Sequence, residues 1–292
     1  FIDALWSPIL IQIVQFCRRA NIPSVVPLHG QLMPWALNHK RIKKSAYLFV
    51  IKKIALSKVS AFHCASPSEV DEVNSLGIPV PAFAVPYGID IQTFACLPER
   101  GQLRKMLNIN ETARIILVLG RLHRVKRPAL LLDSLSQVQE KDIHIVYVGP
   151  DEEGMNGLLA EIATKHGLTD RVHILGKFSR SQVMQAFVDS DLLAMPSAME
   201  SFGMAAAEAL AAGLPVLTST EVPIGQWAEE VGAGKCVVGT VDSFSNAIGT
   251  MLADPQRLRE MGIRGRELAR KHLDIYMAAQ AMRQQIVAIV QR

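Results

Sequence analysis

Cysteine is scarce in this sequence, and no pattern of paired cysteines is present. Four cysteines (Cys17, Cys64, Cys96 and Cys236) stand scattered among 292 residues, and no C-x-x-C occurs. This scatter predicts reduced thiols in a cytosolic protein rather than a disulfide framework. No H-E-x-x-H or similar metal-ligand spacing occurs either, so we expect no metal site.

Long hydrophobic runs are also missing. No apolar stretch reaches the ~18 residues that a membrane-spanning helix needs. The apolar segment 4–16 has neither a basic n-region nor a small-residue cleavage site, which argues against a signal peptide. Hydrophobic residues still make up 49% of the chain, enough for a sizeable core and, at this length, for two domains. We therefore expect a cytoplasmic protein.

Acidic residues are missing from one end of the chain. Between residues 4 and 68 there is no Asp or Glu, but there are nine Lys and Arg. This excess predicts an anionic partner, either a membrane surface or a phosphorylated substrate, and we expect no nucleic-acid partner. The segment from Lys40 to Lys58 carries apolar residues at helical spacing (Ile42, Ala46, Phe49, Val50, Ile54). A packed helix with a solvated basic face explains this pattern, and we add the hypothesis that the basic face rests on anionic lipid at the inner face of the cell membrane.

The glycine-rich signatures of two large nucleotide-binding classes are absent. Neither G-x-G-x-x-G nor G-x-x-x-x-G-K-[ST] occurs, which argues against a nicotinamide-dependent oxidoreductase and a P-loop enzyme. From residue 113, apolar runs nonetheless alternate with helical patterns, which predicts a doubly wound parallel sheet. The expected strands are 115–119, 143–148, 172–175, 192–195, 216–218 and 235–238. Before them we expect strands at 22–28, 61–65 and 82–85, a helix capped by a Ser66–Glu69 capping box, and a linker over 86–113.

Residues 196–213, P-S-A-M-E-S-F-G-M-A-A-A-E-A-L-A-A-G, are the centre of the predicted chemistry. They lie between two apolar runs and predict a helix that opens at Ser201 and closes at Gly213. A helix amino terminus at the end of a strand suits a phosphate group. Glu200 would lie at its mouth, and Glu208 could accept hydrogen bonds from a ribose diol. Taken alone, the segment equally fits an Ala-rich core helix with two solvated acids.

Cations follow the first strand of this second half, in G-R-L-H-R-V-K-R-P over residues 120–128. The guanidinium of Arg121 can bind two phosphate oxygens, and Lys126 adds a point charge. Opposite the helix that opens at Ser201, they would complete a diphosphate site that needs no metal. His29 and Gly30 follow an early predicted strand, where a structural and a functional histidine are equally expected.

The pairing of G-R-L-x-x-x-K with E-S-F-G-x-x-x-x-E resembles the retaining nucleotide-sugar glycosyltransferases of the GT-B fold, specifically glycosyltransferase family 4, also called glycosyl transferases group 1. A-L-A-A-G-L-P-V, V-P-L-H-G-Q-L and V-P-Y-G-I-D extend the resemblance along nearly the whole chain. The chain departs from the family pattern at Tyr87, usually Asn, and at Arg127, often Gly.

The resemblance implies a role for each matching residue. The catalytic set would be His29, Arg121, Lys126 and Glu200, with the two cations on the diphosphate and the other two residues on the donor sugar. The donor-binding set would be Lys177, Phe178, Ser201, Phe202, Gly203, Met204 and Glu208, with the turn 176–178 lining the base by backbone contacts and stacking. No metal and no other cofactor would take part.

The resemblance also implies an architecture of two Rossmann-like domains facing a cleft. We expect an amino-terminal acceptor-side domain over residues 1–95 and a nucleotide-sugar domain over 96–272. A final helix over 273–292 would pack back towards the first domain. Because a Rossmann-like half needs roughly 100 to 150 residues, we expect the amino-terminal domain to be incomplete.

The implied activity is retaining, metal-independent sugar transfer. The donor would be a UDP- or GDP-sugar, and the acceptor a saccharide or a lipid-linked precursor of a polysaccharide or glycolipid. The alternatives are a non-catalytic fragment that binds nucleotide sugars and a GT-B sugar-nucleotide epimerase.

Overall fold

A computed structural model describes residues 1–3, 5–38, 41–140 and 142–291. Lys40, the first residue of the predicted basic segment, lies outside the described residues. The chain divides into two compact units. Unit 1 is Phe1–Gly88 with the segment that begins at Ile275, and unit 2 is Ile89–Asp274. The predicted domain boundaries after residues 95 and 272 stay a prediction.

Unit 1 contains a small parallel sheet in the order β1-β2-β3. Its strands are β1 (Val25–Pro27), β2 (Ala61–Cys64) and β3 (Ala82–Ala84), and its first helices are α1 (Ile9–Arg19), α2 (Pro34–Asn38), α3 (Arg41–Ile54) and α4 (Pro67–Ser75). The central strand is wholly buried, as expected for a strand with neighbours on both sides. The predicted strand 22–28 is wrong in length, because Ile22 is half-exposed and pairing starts only at Val25.

The predicted capping box at α4 is half right. The Ser66 hydroxyl accepts the Glu69 amide at 3.3 Å, and Pro67 opens the helix. The Glu69 carboxylate does not return to the cap, however, but accepts the amides of Gly30 and Ala65. These two loop amides are buried at the end of the sheet, and a buried carboxylate needs such donors.

Helix α3 turns a different face inward from the one predicted. Leu48 and Ile51 are buried, whereas Ile42 and Phe49 are 86% and 66% exposed. The apolar stripe of the sequence pattern therefore faces solvent. The physical reason is that the core of unit 1 accepts only the narrower Leu48–Ile51 face, with Ala55 and Leu56 just beyond the helix.

Unit 2 is a doubly wound α/β unit whose sheet has the order β6-β5-β4-β7-β8-β9, with every described pairing parallel. The strands are β4 (Arg114–Leu119), β5 (Ile143–Val148), β6 (Val172–Ile174), β7 (Leu192–Met195), β8 (Val216–Ser219) and β9 (Gly234–Val237). The predicted strands are confirmed, with ends that shift by about one residue. β4, β5, β7 and β8 are largely buried, which their near-continuous apolar runs require of strands covered on both faces.

Helices cover both faces of this sheet. They are α5 (Gln102–Met106), α6 (Pro128–Ser136), α7 (Met155–Lys165), α8 (Arg180–Asp189), α9 (Met204–Ala212), α10 (Pro223–Glu230), α11 (Val241–Leu252) and α12 (Pro255–His272). The last helix, α13 (Ile275–Val290), belongs to unit 1.

The expectation of a linker over 86–113 is wrong for its second half. Arg104 of α5 is only 3% exposed and pairs with Asp191 at 2.9 Å. The fully buried carboxylate of Asp189 accepts the amides of Gly101 and Leu103. Buried ion pairs and amide bonds of this kind join the segment to the body of unit 2.

The strand order reverses between β4 and β7. From β4 the chain builds outward through β5 and β6, and then returns to build β7, β8 and β9 on the other side. The loops that follow β4 and β7 therefore diverge and leave a crevice at their carboxyl ends, where open α/β sheets bind their ligands. Among the described residues, no helix is both long and apolar enough to cross a membrane.

Candidate functional site

The loop after β4 carries the predicted cations Arg121 and Lys126. Within it, the His123 imidazole accepts the Val125 amide at 3.1 Å and starts a short 3₁₀ turn, Arg124–Lys126. The carbonyl of Val125 accepts the amide of Ala198, in the loop after β7, at 2.7 Å. This bond joins the loops on either side of the crevice. The position of Lys126 therefore depends on both.

Arg127, which follows the turn, has a left-handed backbone with φ 47°. Side chains with a Cβ rarely adopt this conformation, and glycine adopts it freely. The position thus gives a physical reason for the glycine that the family pattern often places here.

Lys126 and Glu200 form an ion pair at the crevice. The Ser197 hydroxyl donates to the same carboxylate oxygen at 2.9 Å, and the Glu200 amide donates to the carbonyl of Glu221 at 3.2 Å. The Lys126 and Glu200 side chains are 26% and 12% exposed. A partly desolvated, doubly hydrogen-bonded carboxylate has a fixed position, which is what a group that orients a substrate requires.

Arg121 lies at the same edge of the sheet. It lines a small cavity together with Lys126, Pro196 and Ser197. Its guanidinium pairs with Glu152 at 2.9 Å and is 60% exposed. The two predicted cations are thus brought together, with Arg121 the more open to an incoming ligand.

Helix α9 begins beside this crevice at Met204, three residues after the predicted opening at Ser201, because the left-handed backbone of Gly203 cannot belong to the helix. Gly203 precedes it with φ 101°, and a Cβ there would lie 2.6 Å from the Val222 side chain. The first amides of a helix have no acceptor within it, so α9 offers donors near Met204 to an anion. Phe202 is fully buried and packs edge-on against Trp227 at 5.7 Å, so only its backbone is available for binding.

The predicted closing glycine is confirmed. Gly213 is left-handed with φ 83°, and the amides of Gly213 and Leu214 donate to the carbonyls of Leu210 and Ala209. These two bonds form a Schellman motif, which ends the helix.

Glu208, one turn inside α9, is not a solvated acid. Its carboxylate accepts the Arg180 guanidinium at 2.9 Å, and Arg180 also lies over the Phe94 ring at 5.3 Å. Arg180 is the first residue of α8, whose start is fixed by a capping box between Ser179 and Gln182. Sequence reasoning missed Arg180, and its signal was weak: one basic residue shortly after the predicted base-lining turn.

That turn follows β6. Gly176 has φ 67°, Lys177 is exposed, and Phe178 is half-buried. Phe178 lines a cavity of about 340 Å³ with Gln102 and Met106 of α5. The Phe178 side chain therefore faces α5. We expect this turn to bind a nucleotide base through its backbone.

His29 belongs to unit 1. It follows β1 with a left-handed φ of 50°, and its Nδ1 forms a hydrogen bond with the Tyr87 hydroxyl. The two rings stack at 5.6 Å, and Nε2 lies 3.6 Å from the Asp3 carboxylate. Burial, together with nearby negative charge, raises the pKa of Tyr87, so its hydroxyl stays protonated and can donate. That bond favours the tautomer in which Nε2 carries the proton.

A buried histidine lies next to this pair. Burial lowers the pKa of His63, whose Nε2 bonds to the Val85 carbonyl at 2.9 Å. Burial also raises the pKa of Glu69, against the opposing effect of its two amide donors. His29 follows β1, His63 lies in β2 and Tyr87 follows β3, so the sheet of unit 1 brings these polar side chains to its carboxyl edge. Among the side chains that the structure describes, no three His, Cys, Asp or Glu group as metal ligands would.

The family model described as glycosyl transferases group 1 matches residues 99–268, more than half of the chain and entirely within unit 2. The chain belongs to the glycosyl transferases group 1 family. Curated relatives include a D-inositol 3-phosphate glycosyltransferase of Nocardia farcinica, 31% identical over 189 residues, which are 62% of this chain and 42% of the relative. Another, from Mycolicibacterium gilvum, is 32% identical over 162 residues, which are 54% of this chain and 33% of the relative. The matched part of the chain thus spans less than half the length of these two relatives.

Solved structures extend the likeness of this group 1 family member to both units. HepE of Anabaena, in complex with UDP and glucose, matches with a TM-score of 0.82 at 21% identity, covering 97% of this chain and 82% of that one. Sucrose-phosphate synthase of Thermosynechococcus elongatus matches with a TM-score of 0.81 at 22% identity, covering 94% of this chain and 70% of that one. At such identities the likeness shows the fold, which is GT-B.

Proposed function

We propose that this chain takes part in transferring a sugar from a nucleoside diphosphate sugar to an acceptor hydroxyl. The transfer would retain the anomeric configuration and would need no metal ion. One observation carries the proposal. At the β4–β7 crevice a lysine and a glutamate, Lys126 and Glu200, are held in contact beside the start of α9. Lys126 and the helix amides can bind a diphosphate, and the fixed carboxylate of Glu200 can bind the hydroxyls of a sugar.

The chemistry follows from where charge develops. The bond between the anomeric carbon and the diphosphate oxygen breaks through an oxocarbenium-like state, and negative charge collects on the departing diphosphate. Lys126, Arg121 and the first amides of α9 would stabilise that charge, and preorganised groups of this kind usually supply the largest catalytic effect. The acceptor oxygen then bonds to the anomeric carbon, and its proton passes to the leaving phosphate.

We assign the ribose to Glu208. Its Oε2 accepts from Arg180, so one carboxylate oxygen is already fixed while the other remains for a ribose hydroxyl. The side chain is 25% exposed, enough to be reached from solvent. The guanidinium thus acts as a positioning group that prevents Glu208 from rotating away.

A UDP-sugar is the donor to test first, because HepE, of the same fold, has been solved in complex with UDP-glucose. GDP-sugars follow, since backbone contacts at the turn around Lys177 would choose the base. For the acceptor we propose a polysaccharide or glycolipid precursor. The curated relatives are named for D-inositol 3-phosphate and the WaaG structure for lipopolysaccharide biosynthesis, so an inositol phosphate and a lipid-linked saccharide are the acceptors to compare.

The outward face of α3 supports a membrane-associated acceptor at the inner face of the cell membrane. Phe49 is 66% and Ile42 86% exposed, and the ammonium of Lys53 lies over the Phe49 ring at 5.1 Å. Exposed apolar side chains interleaved with lysines are typical of a helix at a lipid interface. Sedimentation with anionic vesicles should retain the chain, Phe49→Ser with Ile42→Ser should weaken retention, and neutral vesicles serve as the control. Equal retention on both lipids would contradict the electrostatic part of this assignment.

The central experiment is calorimetric titration with UDP, GDP and NAD, for the wild type and Glu208→Ala. We expect one nucleoside diphosphate to bind, NAD to fail, and the variant to lose affinity about tenfold, as for one charge-assisted hydrogen bond. Binding of that diphosphate with unchanged affinity in the variant would refute the assignment of Glu208 to the ribose. Absence of any binding would refute the donor site in this chain.

Transfer is tested separately, with the anomer of the product read by NMR and with EDTA present. Donor binding without transfer to any acceptor would favour a non-catalytic nucleotide-sugar module. Interconversion of the donor sugar itself would favour an epimerase.

A further inference from the structure

A second cavity lies at the end of the unit 2 sheet opposite the candidate site. It has a volume of about 400 Å³ and is lined by the segments that enter β7 and β8, 190–191 and 212–215, together with the first turn of α12. It is therefore at the amino ends of these strands, whereas the crevice with Lys126 is at their carboxyl ends. Its volume falls within the roughly 300–1,000 Å³ of small-molecule sites.

One carboxylate at the wall of this cavity pairs with three arginines, of which Arg100 and Arg114 line the cavity and the buried Arg104 does not. Asp191 is 8% exposed, and one of its carboxylate oxygens accepts hydrogen bonds from the Arg104 guanidinium and the Ile115 amide, each at 2.9 Å. Its other oxygen lies 3.1 Å from Arg100 and 3.6 Å from Arg114. A single negative charge thus faces three positive ones, and the cluster keeps an excess of two.

Helix α12 adds two more guanidinium groups. Arg266 donates to the Ala212 carbonyl from Nε and Nη2, and so covers the negative end of α9. Arg259 is exposed and has no carboxylate partner among the described residues.

The carboxylates of two nearby acids, Asp189 and Asp254, have other partners and pair with no arginine that lines the cavity. The buried carboxylate of Asp189 is occupied by the amides of Gly101 and Leu103 and by Gln185. Asp254 caps the start of α12 by accepting the amides of Gln256 and Arg257.

We infer that this cavity is a second ligand site, for a small molecule that carries a phosphate group. Four arginines and one aspartate line it, so its lining has a charge of +3. Arg100 and Arg259 are the freest of the four, because the first shares its carboxylate and the second has none. Planar guanidinium groups bind two phosphate oxygens at once, which suits phosphate better than a simple halide.

The site is connected to the proposed donor site through α9. This helix begins at Met204, beside the donor crevice, and ends at Ala212, whose carbonyl and following residues line the cavity. Because α9 is short and mostly buried, a ligand that shifts one end of this helix would shift the whole helix and so affect its other end. This consequence, unlike binding itself, rests on the proposed function.

The test is a titration of the isotope-labelled chain with inorganic pyrophosphate and with glucose 6-phosphate, at constant ionic strength, followed by the backbone amide signals. We expect the signals of Gly213 and Leu214 to shift, and the double variant Arg100→Ala with Arg259→Ala to raise the Kd about tenfold or more. Arg257→Ala with Arg100 retained is the matched control for Arg259→Ala, since it removes one charge from the same turn of α12 but does not line the cavity, and it should bind as the wild type does.

Pyrophosphate is also expected at the donor crevice, where it should shift Gly203 and respond to Lys126→Ala. Because α9 would carry a shift from one end to the other, each site is assigned by its variant: Lys126→Ala should weaken binding at the donor crevice only, and the double variant should weaken binding at the cavity only. A Gly203 shift that is absent, or that Lys126→Ala leaves intact, would count against the donor site and not against the cavity. No shift at Gly213 with either probe, or a shift that the double variant leaves intact, would overturn the second site. The tighter of the two probes tells whether the natural ligand is a phosphate ester or an inorganic phosphate.

Discussion

Replacing Gly203 by alanine tests the geometry at the start of α9. Gly203 has φ 101° and ψ 54°, a conformation that side chains with a Cβ rarely adopt. An added Cβ would lie 2.6 Å from Val222 Cγ1 and 2.9 Å from Ile224 Cγ2. Both of these side chains are fully buried, so neither can move into solvent to make room.

The magnitude follows from these two causes. A non-glycine residue in a sparsely populated backbone region costs about 1–3 kcal/mol, and overpacking a filled core costs about 1–3 kcal/mol more. Alanine also restricts the unfolded chain, which offsets about 0.4–1 kcal/mol. We therefore expect Gly203→Ala to lower the free energy of unfolding by about 1–6 kcal/mol, against the roughly 5–15 kcal/mol typical of a domain.

Urea unfolding followed by tryptophan fluorescence measures this change. Trp227, the tryptophan of unit 2, packs on Phe202 next to the substituted position. Gly157→Ala is the matched control, because Gly157 lies in α7 with no atom within 4 Å of an added Cβ. Helix propensity predicts that the control gains up to about 1 kcal/mol.

A midpoint for Gly203→Ala equal to that of the wild type would refute the reasoning. It would mean that α9 starts in another conformation and that the amides assigned to the diphosphate are elsewhere. A loss of the same size in Gly157→Ala would instead show that alanine is harmful at any helix glycine, and the argument from φ would fail.

Three further predictions concern single side chains. Lys126→Ala should lower the rate of sugar transfer about a hundredfold or more, as for removal of one charge-stabilising donor, and an unchanged kcat would contradict its role. Arg180→Ala should weaken binding of a nucleoside diphosphate but have little effect on its 2′,3′-dideoxy analogue, with Arg180→Lys restoring part of the loss; equal weakening of both ligands would show that Arg180 does not act through Glu208. Because burial lowers the pKa of both His144 and His173, the unfolded chain binds protons that the folded chain does not, so stability should fall as the pH drops below about 6.5. His173→Gln should reduce this dependence of stability on pH, measured by urea titrations at pH 7.5 and 5.5. An unchanged dependence would show that other groups cause it.

Much of unit 2 could be predicted from local pattern. Its strands are short apolar runs bounded by turn residues, and such runs have few alternatives to a buried parallel strand. Gly213 marks the end of α9 because only glycine takes a left-handed φ without cost. The edge shared by Arg121, Lys126 and Glu200 follows from the same reasoning, since parallel strands bring their carboxyl ends together. Position at an edge, however, does not determine partners.

The sequence by itself thus determined the elements of this protein and the edge of the sheet at which its candidate site lies. Tertiary structure alone decided which groups meet: Arg180 with Glu208, Asp191 with its arginines, Glu69 with two loop amides instead of its own helix cap. It also decided that α3 buries Leu48 and Ile51 and leaves its apolar stripe outside. The physical reason is one of range. Backbone conformation and hydrophobic periodicity are set by neighbours a few residues apart, whereas the partner of a charge and the face of a helix are chosen by residues that are distant in the chain and close only in the fold.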